Sequence, residues 1–191
     1  MQQDQILKAF KQTQAIQSGH FLLTSGLHSD TYIQCARVLE QPELTSQLCR
    51  QLGQFWQAQK IDVVAGPAVG GIVLAYELAR VLKARTIFME RAGGKMTLRR
   101  GFQISPQEKV LVTEDVITTG GSVKEVIEVI KNIGAQLVGV ASLVNRNPGI
   151  NFGDAPFHSL LKVTPPVYQP EECPLCKSGI TAVKPGSRNL K

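Results

Sequence analysis

Short apolar runs alternate with amphipathic helices through the middle of this 191-residue chain, and that alternation limits the fold more than any other feature. IDVVAG (61–66) leads into the helical pattern GGIVLAYELARVLKA (70–84). RTIFME (85–90) follows, then KVLVTED (109–115), the helix SVKEVIEVIKNIG (122–134) and a last run, QLVGVASLVN (136–145). Strands rich in Val and Ile that alternate with helices predict a mostly parallel sheet, covered by helices on both faces. Gly134 is placed to stop the second helix.

The flanks are less regular. Ile6, Leu7, Phe10 and Ile16 recur at near-helical spacing, and Ser18-Gly19 is expected to end that helix. HFLLTSG (20–26) and TYIQCARVL (31–39) read as extended pieces joined by LHSD (27–30). PELTSQLCRQLGQFWQAQK (42–60) reads as a helix with Pro42 in its first turn. Between the second and third strands, RAGGKMTLRRGFQISPQE (91–108) has no helical stripe, two adjacent glycines and several cations. It reads as a long loop or loose hairpin, and such loops are often functional. From Asn147 onward proline is frequent and periodicity weak. One domain is expected: an N-terminal hood over about 1–40, a core over about 41–147 and a tail over about 148–191.

The formal charge of +6 suits small polyanions as well as nucleic acid. The basic residues form no arginine-rich arm or aromatic-interleaved stripe, so nucleic acid is not expected. No apolar run approaches the ~20 residues of a membrane span, and MQQDQILKAF lacks the apolar core of a signal peptide. A cytoplasmic location is the expectation. Cys173 and Cys176 form a single C-x-x-C, which supplies two of the four ligands a closed zinc site needs. Reduced thiols in a tail are expected there, with zinc shared across a symmetric dimer or a tail disulfide as alternatives.

The richest stretch is VLVTEDVITTGGSV (110–123). Ligands of open α/β sheets bind at the carboxyl ends of strands, where Glu114 and Asp115 fall. Thr118, Thr119, Gly120, Gly121 and Ser122 then turn into a helix whose free N–H groups and hydroxyls can hold an anion. This is not a Walker loop, because no lysine followed by Ser or Thr closes it. Carboxylates repel a bare phosphate but accept hydrogen bonds from a sugar. A ribose 5-phosphate satisfies both halves.

These residues resemble the phosphoribosyl pyrophosphate (PRPP) signature of the type I phosphoribosyltransferases, and EDVITTGGS is similar to the variant of the orotate phosphoribosyltransferases. The resemblance covers nearly the whole chain. GHFLLTSGLHSDTYIQCARVL resembles the family's hood, VVAGPAVGG its pyrophosphate loop, ERAGGKMTLRRGF its mobile catalytic loop and NRNPG its base-recognition loop. EECPLCKSGI is similar to a tail of one bacterial branch.

The resemblance implies an enzyme that transfers the phosphoribosyl group of PRPP to orotate with Mg²⁺, in pyrimidine biosynthesis, as a homodimer. It implies a mostly parallel central sheet with a small hood and a flexible loop. Val116 and Ile117 join Thr118 to Ser122 around the 5-phosphate, while Glu114 and Asp115 take the ribose hydroxyls. Ala68, Val69, Gly70 and Gly71 line the pyrophosphate. Arg91 contacts pyrophosphate, Lys95 is the catalytic lysine with Asp115 beside the reacting carbon, and Thr118 and Arg146 meet orotate. Mg²⁺ is expected on substrate oxygens and water more than on protein. The chain departs from the family pattern in three places. Val69-Gly70 stands where other members carry a lysine, Thr24 replaces a lysine in the hood, and the catalytic loop has no histidine. A purine or uracil phosphoribosyltransferase, a PRPP-sensing regulator and a scaffold module using the C-x-x-C remain alternatives at this point.

Overall fold

Helix α1 (Gln3–Gln12) forms where Ile6 and Phe10, one turn apart, can both be buried. The computed structural model describes residues 1–185, so the last six residues of the expected tail lie outside the described residues. The helix stops earlier than its apolar spacing suggests. The Thr13 hydroxyl donates back to the Ala9 carbonyl at 2.9 Å, Gln14 takes φ 58°, and Ile16 opens strand β1 (Ile16–Leu22). Cross-strand pairing with β2 (His28–Ile33) outweighs the helical spacing of Ile16, because seven residues gain an antiparallel partner there. His28, Ser29 and Asp30 therefore belong to a strand and not to a connector. The turn is 23–27, closed by the Leu23 N–H on the Leu27 carbonyl at 2.8 Å. TYIQCARVL likewise divides: it is extended to Ile33, then makes the helical turn α2 (Ala36–Leu39).

Helix α3 (Pro42–Gly53) starts with Pro42 in its first turn and runs into a 3₁₀ turn at Gln54–Trp56. The next elements are β3 (Val63–Pro67), α4 (Gly70–Leu82), β4 (Arg85–Ala92) and β5 (Lys95–Leu98). After them come β6 (Lys109–Ile117), α5 (Gly121–Ile133), β7 (Gln136–Asn145), β8 (Phe157–Lys162), β9 (Val167–Tyr168) and α6 (Pro174–Lys177). Six strands form the central sheet in the order β5-β4-β3-β6-β7-β8, parallel except for β5, which folds back on β4. The expected loose hairpin is thus β4–β5, turning on Gly93 and Gly94 at positive φ.

The sheet has a core on each face, and strict alternation assigns residues to them. Val64 and Leu111 face one way, with Leu48 and Leu52 of α3 and Leu74 and Leu78 of α4. Val63, Ala65, Val110 and Val112 face the other way, against Val123, Val126 and Ile130 of α5. Each such burial contributes roughly 1.5–3 kcal/mol, which is why β3 and β6 carry no polar alternation.

The stretch expected as tail is structural. β8 completes the central sheet by pairing in parallel with β7, and β9 joins β1 and β2 in a three-stranded hood sheet, order β1-β2-β9. After α6 the chain returns to the hood, where the Val183 N–H donates to the His20 carbonyl at 2.8 Å and the Leu22 N–H to the Val183 carbonyl at 2.9 Å.

Candidate active site

Two glycine-bearing turns lie side by side at the carboxyl edge of the sheet. The first joins β3 to α4 through Ala68 and Val69, whose peptide bond is cis. The second joins β6 to α5 through Thr118, Thr119 and Gly120. β3 and β6 are neighbours, with Val63 opposite Val110 and Ala65 opposite Val112. Each following helix has 13 residues, and no side chain of the protein caps either start. Both turns thus present first-turn N–H groups and the positive end of a helix dipole to the same edge. Thr118 and Thr119 are exposed, and Ser122 is half-buried beside them.

Glycine is required in these turns for different reasons. Gly120 has φ 72°, and a β-carbon there would strike Ile150 and lie 3.1 Å from the Phe152 ring. At Gly70 a β-carbon would sit 2.8 Å from Asp115 Oδ1, and at Gly71 3.4 Å from Glu114 Oε1. The first turn is therefore packed directly against the two acids of β6. Those acids are held by backbone: the Asp115 N–H donates to Glu114 Oε1 at 3.3 Å and the Val116 N–H to Asp115 Oδ1 at 2.9 Å. Burial pushes the Glu114 carboxyl up to about 9, and the adjacent Asp115 charge adds to the shift. The Cys35 thiol points at the Asp115 carbonyl at 3.8 Å; burial, then the charges of Asp115 and Glu114, hold it well above the usual thiol range. A site with two crowded acids gains from a ligand that donates hydroxyls to them.

The cations divide into engaged and free. Arg146 follows β7, and its N–H donates to the Ile117 carbonyl at 2.8 Å, which fixes it beside the second turn. Its side chain is half-buried, burial lowers the guanidinium from its ordinary value, and the buried Nε has no partner. A desolvated, unpaired guanidinium is set to take a planar anion in two parallel hydrogen bonds. On the β4–β5 hairpin, Arg91 is held by Glu125 of α5 through bonds of 3.1 and 2.7 Å. Arg100 is held by Glu90 at 2.7 and 2.9 Å and lies over the Phe88 ring. Lys95 and Arg99 are exposed, with no ion pair among the described residues.

Most of the expected site residues therefore converge. Glu114 through Ser122, Ala68 through Gly71 and Arg146 share one edge, whereas Lys95 stands exposed on the hairpin, whose Met96 packs into the core beside α5, and Arg91 is turned to Glu125 of α5. Sequence spacing does not reveal Glu125 or Glu90 as the partners of the hairpin arginines, nor Ile150 and Phe152 as the floor under Gly120. Nor does it link His20 and His28 to Cys173 and Cys176, although the four ligand atoms of these residues lie within 4.8 Å of one another. The separation of up to 156 residues hides that cluster from any local motif.

Among the described residues no helix is long and apolar enough to cross a membrane. The phosphoribosyl transferase domain family matches residues 36–173. The chain is 51% identical to the orotate phosphoribosyltransferase of Caldanaerobacter subterraneus subsp. tengcongensis over 191 residues, all of both chains. It is 53% identical to that of Thermotoga maritima over 187 residues, 97% of this chain and 100% of the other. Among solved structures, the orotate phosphoribosyltransferase of Aeropyrum pernix superposes with a TM-score of 0.69 at 26% identity, over 83% of this chain and 93% of that one. With a mixed six-stranded sheet between helices, two glycine-bearing turns side by side at its carboxyl edge and relatives of this similarity along its full length, the chain belongs to the orotate phosphoribosyltransferases of the type I phosphoribosyltransferase family.

Proposed function

We infer that the protein joins the anomeric carbon of PRPP to a ring nitrogen of orotate, forming orotidine 5′-monophosphate and releasing pyrophosphate. The observation that carries the orotate assignment is Arg146: a half-buried guanidinium with an unpaired Nε, beside the turn that takes the 5-phosphate. A neutral purine or uracil would leave that cation unmatched, whereas the orotate carboxylate offers the fork it lacks.

The chain's own groups do little covalent chemistry in this reading. Thr118 to Ser122, with the backbone of Val116 and Ile117 leading in, hold the 5-phosphate on amides and hydroxyls. Glu114 and Asp115 accept the ribose hydroxyls and keep Asp115 beside the carbon that becomes cationic. The amides of Ala68 to Gly71 receive the pyrophosphate. That turn has no side-chain cation of its own, so Lys95 closes down from the hairpin to stabilise the charge of the departing group. Arg91 joins it when released from Glu125. Holding both substrates in line and excluding water supplies the rest of the acceleration.

The reaction would take Mg²⁺, and the donor set fits it: the edge offers carboxylate oxygens, the Cys35 thiol beneath them is buried and turned to the Asp115 carbonyl, and the crowded pair Glu114–Asp115 gains from positive charge nearby. Glu114 and Asp115 are the residues that would hold the ion together with the substrate's own oxygens, and it would supply positive charge for the departing pyrophosphate.

The protein acts as a homodimer in the cytoplasm. Val69, Val73 and Tyr76 are 81%, 47% and 63% exposed and recur on one stripe at the start of α4, next to the pyrophosphate turn. An apolar stripe in that position supports a second copy as its cover, with hairpin cations passing between subunits. Light scattering should give twice the chain mass for the protein and the single mass for Tyr76→Glu. The activity is tested by the fall in orotate absorbance, which should require PRPP and Mg²⁺ together. Turnover of a purine but not of orotate would overturn the assignment.

A further inference from the structure

The hood and the returning chain meet at four side chains that the transfer reaction does not use. His20 lies on β1 and His28 on β2; Cys173 and Cys176 flank and enter α6. His20 and His28 are 4% and 8% exposed, and Cys173 is fully buried. His20 Nε2 stands 2.8 Å from His28 Nδ1, 3.4 Å from Cys173 Sγ and 3.8 Å from Cys176 Sγ, and Cys176 Sγ stands 3.3 Å from His28 Nδ1. A zinc tetrahedron built with bonds of ~2.3 Å to sulfur and ~2.05 Å to nitrogen has S–N edges of about 3.6 Å and an N–N edge of about 3.3 Å. The S–N separations of 3.4, 3.8 and 3.3 Å sit around that edge, and the N–N separation of 2.8 Å is shorter than its edge, so the two imidazoles would part slightly to admit the ion.

The second nitrogen of His20 adds an independent sign. His20 Nδ1 lies 2.6 Å from the Ile180 carbonyl, an acceptor, so Nδ1 carries the proton and donates. That leaves Nε2 with a lone pair aimed into the cluster. A ligating imidazole anchored through its other N–H to a carbonyl is the arrangement found around bound metals. Without an ion, the cluster would leave two thiols and this lone pair crowded in a largely buried pocket.

We propose that His20, His28, Cys173 and Cys176 form a closed structural zinc site that fastens the C-terminal segment to the hood. Two imidazoles and two thiolates suit a borderline-soft ion such as zinc and disfavour Mg²⁺, which wants oxygen. All four positions are filled by protein, so no site remains for a reacting water and the role is architectural. Binding converts two thiols to thiolates and releases their two protons. His20, His28 and Cys176 lie outside the 36–173 span of the phosphoribosyl transferase domain, and Cys173 is its last residue, so the site is an addition to the shared core. Its consequence is mechanical. β1, β2 and the 173–183 segment are tied at one point, where backbone bonds of Val183 to His20 and Leu22 already join them.

The test uses the full chain purified with reduced thiols in magnesium-free buffer. Atomic emission should find one zinc per chain, and a mercurial reagent should release it. Cobalt added to the stripped protein should produce visible d–d bands and thiolate-to-cobalt charge transfer. Cys176→Ser changes an exposed residue and should fold, yet lose zinc stoichiometry; His20→Ala should do the same. Removing the metal should lower the thermal midpoint by several degrees, while PRPP binding to the still-folded protein changes less than about threefold. Reduced, folded protein that holds no zinc and gives no cobalt spectrum overturns the site. A Cys173–Cys176 disulfide in protein purified without reductant, detected by peptide mass with Cys35 and Cys49 still free, overturns it as well.

Discussion

The two turns at the sheet edge share a plan and differ in completeness. Both follow a buried strand, both open a 13-residue helix without a side-chain cap, and both use glycine for close approach. The turn after β6 adds Thr118, Thr119 and Ser122, so its amides are supplemented by hydroxyls. The turn after β3 adds only Ala68 and an exposed Val69. One turn therefore combines main-chain and hydroxyl donors, while the other has main-chain donors and no side-chain cation of its own. In the proposed reaction that difference places the control of the chemistry: the turn after β6 would hold the 5-phosphate on its own donors, and the turn after β3 would meet the leaving pyrophosphate with help from the hairpin cations.

The largest expected effect comes from removing the hairpin charge. Lys95→Ala should lower kcat by roughly 10²–10³-fold, about 3–4 kcal/mol, with PRPP affinity changed only a few-fold. Unchanged turnover in a stopped-flow or steady-state assay would take the hairpin out of the chemistry. Next comes the turn after β6. Gly120→Ala must place a side chain at φ 72° against Ile150 and Phe152, so chemical denaturation should show a loss of about 2–4 kcal/mol. Gly70→Ala, which crowds a carboxylate instead, should cost less stability and show up mainly in PRPP affinity. Equal stability losses at both glycines would erase the distinction between the turns.

Arg146→Ala should reduce kcat/KM for orotate by roughly 30–150-fold, about 2–3 kcal/mol, and leave PRPP binding alone. A matched fall in PRPP affinity would instead tie Arg146 to the phosphate frame. The last effect, on stability and not on turnover, concerns Glu114. Its carboxyl is raised to about 9 in the folded protein, so its contribution to stability is full below about pH 4.5 and is lost as pH rises towards 9. Glu114→Gln should flatten that slope and stabilise the ligand-free protein more at pH 8 than at pH 5. The gain is bounded by about 1.4 kcal/mol per pH unit and reduced by the group's partial exposure. Parallel pH profiles of unfolding for the two proteins would contradict the crowding of the acids.

The parts of this molecule that are legible from sequence are those whose signal is local. The Val- and Ile-rich runs of β3, β6 and β7 and the glycine that ends α5 announce themselves, as does the acid pair followed by a hydroxyl-rich turn. β8 does not: FHSLLK is short, follows no helix, and becomes a strand because β7 offers it an open edge. Ile16 has the spacing of a helix residue but gains a partner in Ile33 across the hood. The engagement of Arg91 by Glu125 and the meeting of His20 and His28 with the C-x-x-C arise from tertiary approach, across 34 and up to 156 residues of chain. Contacts at that range leave no periodic trace.

Calorimetric titration of the folded protein in magnesium buffer tests the central claim most directly, with PRPP, ribose 5-phosphate and pyrophosphate compared in turn. The account predicts one PRPP bound per chain and ribose 5-phosphate retained more firmly than pyrophosphate, because the frame after β6 is complete and the turn after β3 is not. Absence of any PRPP binding, or pyrophosphate held as tightly as the whole substrate, would contradict it.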